Sequence, residues 1–169
     1  MWNNDKVDKV AITINKKYLF YNCRGGDEMD IREFKVEEFL KQHDIKPSYQ
    51  RMKIYDYLIE YRSHPTVDEI YQALVDEIPT LSKTTVYNTL KLFLDKEIVQ
   101  LITIEENENR YDADVSIHGH FKCLECSSIY DIWLDMANME FAGLDDFSIN
   151  ESHIYLKGSC NNCLVDYKN

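Results

Sequence analysis

The sequence predicts an α+β protein in two parts, a helical part closed by a β-hairpin and a smaller C-terminal part of strands around a helix. Three observations lead there. The apolar spacing between residues 36 and 94 is helical, and cap residues at Ser48, Thr66 and Ser82 punctuate it. At Ile98 the pattern turns strand-like and doubles back through a polar turn. Beyond that, four of the five cysteines form two Cys-x-x-Cys pairs, Cys123/Cys126 and Cys160/Cys163.

Each element follows from local chemistry. Val36, Phe39 and Leu40 make a short apolar stripe that ends in the Asp44/Pro47 region. Ile54, Leu58 and Ile59 share one face of a helix that Ser48 can cap. Thr66-Val-Asp-Glu69 is a capping box opening a helix through Ile70, Leu74 and Val75, and Pro79 closes it. Ser82 caps a fourth helix from Lys83 to about Leu94. Ile98–Ile104 is rich in strand formers, Glu105–Asn109 is a polar turn, and Arg110-Tyr-Asp112 returns as a second strand. Helices followed by such a hairpin make a winged helix, a helix-turn-helix variant. The last third reads as strands at Ser128–Ile132 and Ser152–Leu156 around a helix near Met136–Leu144.

Composition narrows the function classes. A chain of 169 residues with 44% apolar and 29% charged side chains forms one domain or two small ones with a real core. No apolar run approaches the roughly 18 residues a membrane span needs. Five Gly and three Pro exclude collagen-like and disordered classes. A net charge of −11 argues against a polybasic nucleic-acid or membrane-surface protein as a global average. The acidity is uneven, however: residues 102–169 hold thirteen acidic and four basic side chains. A nucleic-acid surface therefore belongs in the middle third. The N-terminus lacks a secretion pattern, so the paired cysteines read as a thiolate metal site in a reducing cytoplasm.

The fourth helix carries Lys83, Tyr87 and Lys91 at i, i+4, i+8, with Thr84 and Asn88 beside them. Val86, Leu90 and Phe93 lie on another face and should pack inward. The polar face suits a DNA major groove: Lys reaches phosphate or guanine, Asn reads adenine, and Tyr or Thr touches a thymine methyl. An ordinary amphipathic surface helix has the same periodicity, and the winged-helix context holds the two readings near parity.

Two Cys-x-x-Cys turns suit the tetrahedral four-thiolate shell of Zn²⁺. Their separation means the metal would pin the C-terminal tail back onto the Cys123 strand. A redox pair would need a βαβ setting, which is absent; Cys23 reads as a spectator. His118-Gly-His120 precedes Cys123, and alternation points both imidazoles to one side of a strand. With His64, Asp112 and Asp131 they offer three imidazoles and two carboxylates. That set suits Fe²⁺ or Mn²⁺ better than thiolate-loving metals. A zinc deaminase is excluded, because no His-x-Glu precedes a Pro-Cys-x-x-Cys.

These residues resemble the ferric uptake regulator family, and within it the peroxide-stress repressor branch. The resemblance rests on His64-Pro-Thr-x-Asp-Glu-Ile-Tyr71, Ser82-x-x-Thr-Val-Tyr-Asn-x-Leu90 and Arg110-Tyr-Asp112. It continues with His118-x-His120-x-x-Cys123-x-x-Cys126, Ile129-x-Asp131 and Gly158-x-Cys160-x-x-Cys163, in order from about residue 34 to 165. It implies a winged-helix DNA-binding domain over 34–115, a dimerisation and metal-binding domain over 116–169, and an extension over 1–33. It further implies a homodimeric repressor on double-stranded operator DNA, not an enzyme and not a membrane protein. Cys123, Cys126, Cys160 and Cys163 fall on the family's structural zinc positions. His64, Asp112, His118, His120 and Asp131 fall on its regulatory Fe²⁺ or Mn²⁺ positions. Five such ligands leave a sixth position where peroxide could enter and oxidise His64 or His118. Aspartate at both 112 and 131 favours the peroxide branch; the alternative is an iron-responsive repressor without peroxide sensing. A third class is a zinc-pinned interaction module without DNA binding, against which the Lys83/Tyr87/Asn88/Lys91 face argues.

The chain departs from the family pattern in places. The second helix opens Ser48-Tyr-Gln-Arg51 in place of Thr-Pro-Gln-Arg, though Arg51 still aligns as a phosphate contact. Ser127 stands where Cys-x-x-Cys-Gly is usual. His153 lies one residue off a further metal position and stays outside the site, and His43 reads as a surface residue. Residues 1–28 match nothing in the family. Codons for Arg24–Glu28 can spell a purine-rich ribosome-binding sequence before Met29, which makes Met29 the expected native start. A strand pair through Val10–Ile14 and Tyr18–Tyr21 that docks on the body is the alternative.

Overall fold

The computed structural model describes residues 35–134, 143, 147–149 and 151–166. The expected helix near Met136–Leu144 and the Met29 reading lie outside the described residues.

Four helices come first, α1 (Val36–Gln42), α2 (Tyr49–Tyr61), α3 (Val67–Leu74) and α4 (Lys83–Asp95). All three cap signals are met in atoms. Ser48 Oγ accepts the Arg51 N–H at 3.3 Å, and Ser82 Oγ accepts that of Thr85 at 3.1 Å. The capping box closes both ways: Thr66 Oγ1 accepts from Glu69 N–H at 3.1 Å, and Glu69 Oε2 accepts from Thr66 N–H at 2.7 Å. Each such cap satisfies helix-end donors that otherwise lack a partner. The apolar faces meet in one core of Leu40, Ile54, Leu58, Ile70, Val86, Leu90 and Phe93, all buried. Tyr55 sits among them, stacked on Phe39 at 5.0 Å and edge-on to Phe93 at 5.5 Å. Burying each large apolar side chain contributes about 1.5–3 kcal/mol.

The hairpin is shorter than its apolar run. Strands β1 (Gln100–Ile102) and β2 (Arg110–Asp112) pair antiparallel, with Gln100 opposite Asp112. Ile98, Val99 and Ile104 flank β1 and are buried, anchoring the wing to the helical core.

The remaining strands form a separate sheet, ordered β4-β3-β5. Here β3 (Gly119–Cys123) is central, β4 (Ile129–Ile132) is antiparallel to it, and β5 (Tyr155–Gly158) runs parallel to it. The expected strand at 152–156 is displaced toward the C-terminus. Its position is set by the ladder, which runs from Ile154 C=O, accepting His120 N–H at 2.9 Å, to Gly158 C=O, accepting Leu124 N–H at 2.7 Å. A helix α5 (Asn161–Asp166), not anticipated from the sequence, follows the first cysteine of the second pair.

Candidate metal centres and a candidate nucleic-acid face

The sheet and the wing bring the five His and Asp residues together. One donor atom from each of His64, Asp112, His118, His120 and Asp131 lies within 4.8 Å of all the others. His118 and His120 flank Gly119, and a side chain at 119 would meet Ile154 C=O at 3.1 Å, so glycine lets β3 pass close to the β5 entry. Asp131 pairs with His120 across β3–β4, Asp112 ends β2, and His64 stands in the turn between α2 and α3. Four of the five are buried and Asp131 is half-buried.

The separations are those of a common coordination shell. His64 Nε2 lies 2.7 Å from Asp131 Oδ1, His118 Nε2 lies 3.1 Å from Asp112 Oδ2, and His118 Nε2 lies 3.0 Å from His120 Nε2. Adjacent ligands of an octahedral ion with bonds of about 2.1 Å stand about 3 Å apart. His64 Nε2 and Asp131 Oδ1 are buried without a hydrogen bond despite their closeness. Buried polar atoms of this kind carry a desolvation cost that a shared cation would offset. The donor set therefore fits a borderline divalent ion.

Supporting contacts orient the rings. Ser116 C=O accepts from His118 Nδ1 at 2.9 Å, leaving Nε2 toward the cluster. Gln100 donates to Asp112 Oδ2 at 3.1 Å and also to Asp114 C=O, while Asp114 N–H donates to Asp112 Oδ1 at 2.8 Å. Sequence reasoning missed Gln100; its signal is the β1–β2 register that places it opposite Asp112. Burial favours the neutral form of both carboxyls. Hydrogen bonds from His118 and His120 nonetheless hold Asp112 well below the usual carboxylate range, and the close His118 and His64 rings hold Asp131 there too. In return Asp112, then Asp131, push His118 up to about 10.

The four paired cysteines form a second cluster, again with donor atoms within 4.8 Å of one another. Cys123 ends β3, Cys126 closes the following turn, Cys160 precedes α5 and Cys163 lies in it. Cys126 Sγ and Cys160 Sγ are 3.8 Å apart. That matches the edge of about 3.8 Å of a tetrahedron with Zn–S bonds of about 2.3 Å. Cys160 N–H donates to Cys123 Sγ at 3.2 Å. Backbone donors, Cys126 N–H first, bring Cys123 down to about 6, while the Cys160 side chain pushes Cys163 up to about 12. Without a cation the cluster does not hold four thiolates together; with one, ligation deprotonates them.

On α4, Lys83, Thr84, Tyr87, Asn88 and Lys91 are all exposed, whereas Val86, Leu90 and Phe93 are buried. Lys83 is engaged, its ammonium 2.6 Å from Asp68 Oδ2. Arg51 lies at the opening of α2 with its guanidinium on Lys46 C=O at 2.6 Å. Arg51 and Asn88 share a cleft of about 340 Å³ with Lys46, Gln50 and Thr85. His43 hydrogen-bonds Phe39 C=O within α1's last turn, and His153 pairs with Glu151 at 2.7 Å, both away from the clusters. No helix among the described residues is long and apolar enough to cross a membrane.

A model of the ferric uptake regulator family matches residues 42–157. The chain is 35% identical over 143 residues to the peroxide-responsive repressor PerR of Staphylococcus aureus, covering 80% of this chain and 96% of that protein. The crystal structure of the Vibrio cholerae ferric uptake regulator superposes with a TM-score of 0.63 at 24% identity, over 75% of this chain and 100% of that one. A Pseudomonas aeruginosa ferric uptake regulator superposes at 0.61 with 18% identity, over 76% and 99%.

Proposed function

The chain is a member of the ferric uptake regulator family, a metal-responsive transcriptional regulator and not an enzyme, and from that premise we propose that it is a peroxide-sensing repressor. In this reading His64, Asp112, His118, His120 and Asp131 hold a regulatory Fe²⁺ or Mn²⁺, and the four cysteines hold a structural Zn²⁺. Residues 34–115 bind operator DNA and residues 116–169 make the homodimer. The observation that carries the proposal is the convergence of five buried or half-buried donors from four separate segments, with His64 Nε2 left without a hydrogen bond. The peroxide-responsive relative supports the choice of stimulus.

His64 and Asp112 belong to the winged helix, whereas His118, His120 and Asp131 belong to the sheet. Gathering all five within ligand distance restricts how the winged helix is turned on the sheet. In a homodimer that restriction sets the spacing of two α4 helices against major grooves one helical turn apart. Bound iron would supply redox activation of hydrogen peroxide, which manganese would do far less readily. One peroxide oxygen would go to a ring carbon of His64 or His118 and the other would leave as water, a two-electron oxidation of the ring that removes a donor. The restriction is lost with it, and the operator is released.

The test uses the zinc-loaded protein. His118→Ala should abolish Mn²⁺-dependent operator binding, with zinc content and helical signal unchanged. After peroxide, mass spectrometry of the iron-loaded wild type should find added oxygen on a peptide holding His64 or His118, with the manganese form spared. Equal resistance of both forms would make the protein an iron-responsive repressor instead.

A further inference from the structure

The wing and the sheet meet through charged side chains that are not among the candidate ligands. Lys122, two residues after His120 on β3, sets its ammonium against Glu105 Oε1 at the start of the wing turn. The other Glu105 oxygen accepts Arg110 Nε–H at 2.8 Å. Arg110 Nη1 donates to His64 C=O at 3.1 Å and lies 3.2 Å from Glu69 Oε2, the oxygen that caps α3. The Lys122, Glu105 and Arg110 side chains are only 18%, 12% and 13% exposed. Nearby, Tyr155 on β5 accepts the Thr103 N–H at 3.0 Å, a second contact between sheet and wing.

The placement of the chain of charges distinguishes it from an ordinary surface network. It alternates cation and anion, and removing Glu105 leaves the partly buried Lys122 ammonium without its partner in the network. It also touches three of the four ligand-bearing segments: the His64 turn through its carbonyl, β2 two residues before Asp112, and β3 two residues after His120. Within the chain, Lys122 alone comes from the sheet.

We infer that Lys122, Glu105, Arg110 and Glu69 form a latch that holds wing and sheet in the metal-ready arrangement before any ion arrives. Lys122 and Glu105 are its positioning residues across the joint. The effect on regulatory-metal affinity rests on the function proposed above; the latch itself does not. Residues that orient ligands from behind change metal affinity by about 10–100-fold when removed.

The full-length, zinc-loaded protein tests this with Lys122→Met, Glu105→Gln, the double variant and Lys122→Arg. Each is measured for Mn²⁺ affinity and, without Mn²⁺, for radius of gyration by solution scattering. Either single variant should weaken Mn²⁺ binding by about tenfold or more and enlarge the metal-free particle, at unchanged zinc content. The double variant should lose no more than the worse single one, and Lys122→Arg should restore most of the loss. Wild-type affinity and scattering in both single variants would overturn the latch, and so would fully additive losses. A wild type that binds no Mn²⁺ would instead refute the regulatory site, with the scattering difference still deciding the latch.

Discussion

His64 adopts a φ of 50° and Ser127 a φ of 60°, both in the left-handed region that side chains disfavour. At His64 the surroundings hold the conformation: Arg110 donates to its carbonyl, and Tyr111 N–H donates to Pro65 C=O at 3.1 Å. Strain so enforced at a candidate ligand keeps the ring aimed into the cluster. Ser127 is different. It is exposed and directly follows Cys126. Glycine adopts that φ freely, though it loses more chain entropy on folding. Ser127→Gly should therefore raise stability by a net of about 0.5–1 kcal/mol, or about 1–4 °C in melting temperature for a chain of this size. Thermal melts at matched zinc loading check it, and a lower melting temperature would mean that the serine side chain contributes a contact of its own.

The helices were legible because their signals are local. Ser48, Thr66 and Ser82 cap within three residues of themselves, and the core faces of α2 and α4 repeat at helical spacing. The candidate ligands were legible too, as residue types in order, but their convergence depends on how β2, β3 and the His64 turn meet. Long-range features left no trace. The position of β5 is fixed by a parallel ladder to β3, and α5 is too short for a period. Glu105 looks like any turn acid until Lys122, seventeen positions on, packs against it. On α4 the same limit applies to function: five exposed residues share a face, and the fold adds that Lys83 is already paired with Asp68 while Lys91 makes no ion pair among the described residues. Lys91→Ala should thus flatten the salt dependence of operator binding by about one unit and weaken it. Lys83→Ala should do less, because Lys83 must first leave Asp68. Binding isotherms over a salt series, on an operator selected from random duplexes, measure both; an unchanged Lys91→Ala slope would remove that residue from the interface.

At the scale of the molecule, the cysteine cluster fastens the end of the described chain to its middle. Cys160 N–H donates to Cys123 Sγ, Leu124 N–H donates to Gly158 C=O, and β5 reaches β3 just before the second cysteine pair. A parallel strand has no short hairpin to hold it, so its pairing depends on what anchors its ends. The sheet it completes leaves Tyr130 and Leu156, both cross-strand partners of Phe121, exposed, a face that the proposed homodimer would cover. Zinc binding, the seating of β5 and dimerisation should consequently be lost together, since binding at a structural zinc site is coupled to folding. Cys160→Ser removes one thiolate and, with the ion, the tie between α5 and the Cys123 turn. The helical core of α1–α4 lies away from that tie and should keep its circular-dichroism signal. Native mass spectrometry and sedimentation of Cys160→Ser should find a zinc-free monomer, and a zinc-loaded dimer would refute the four-thiolate assignment.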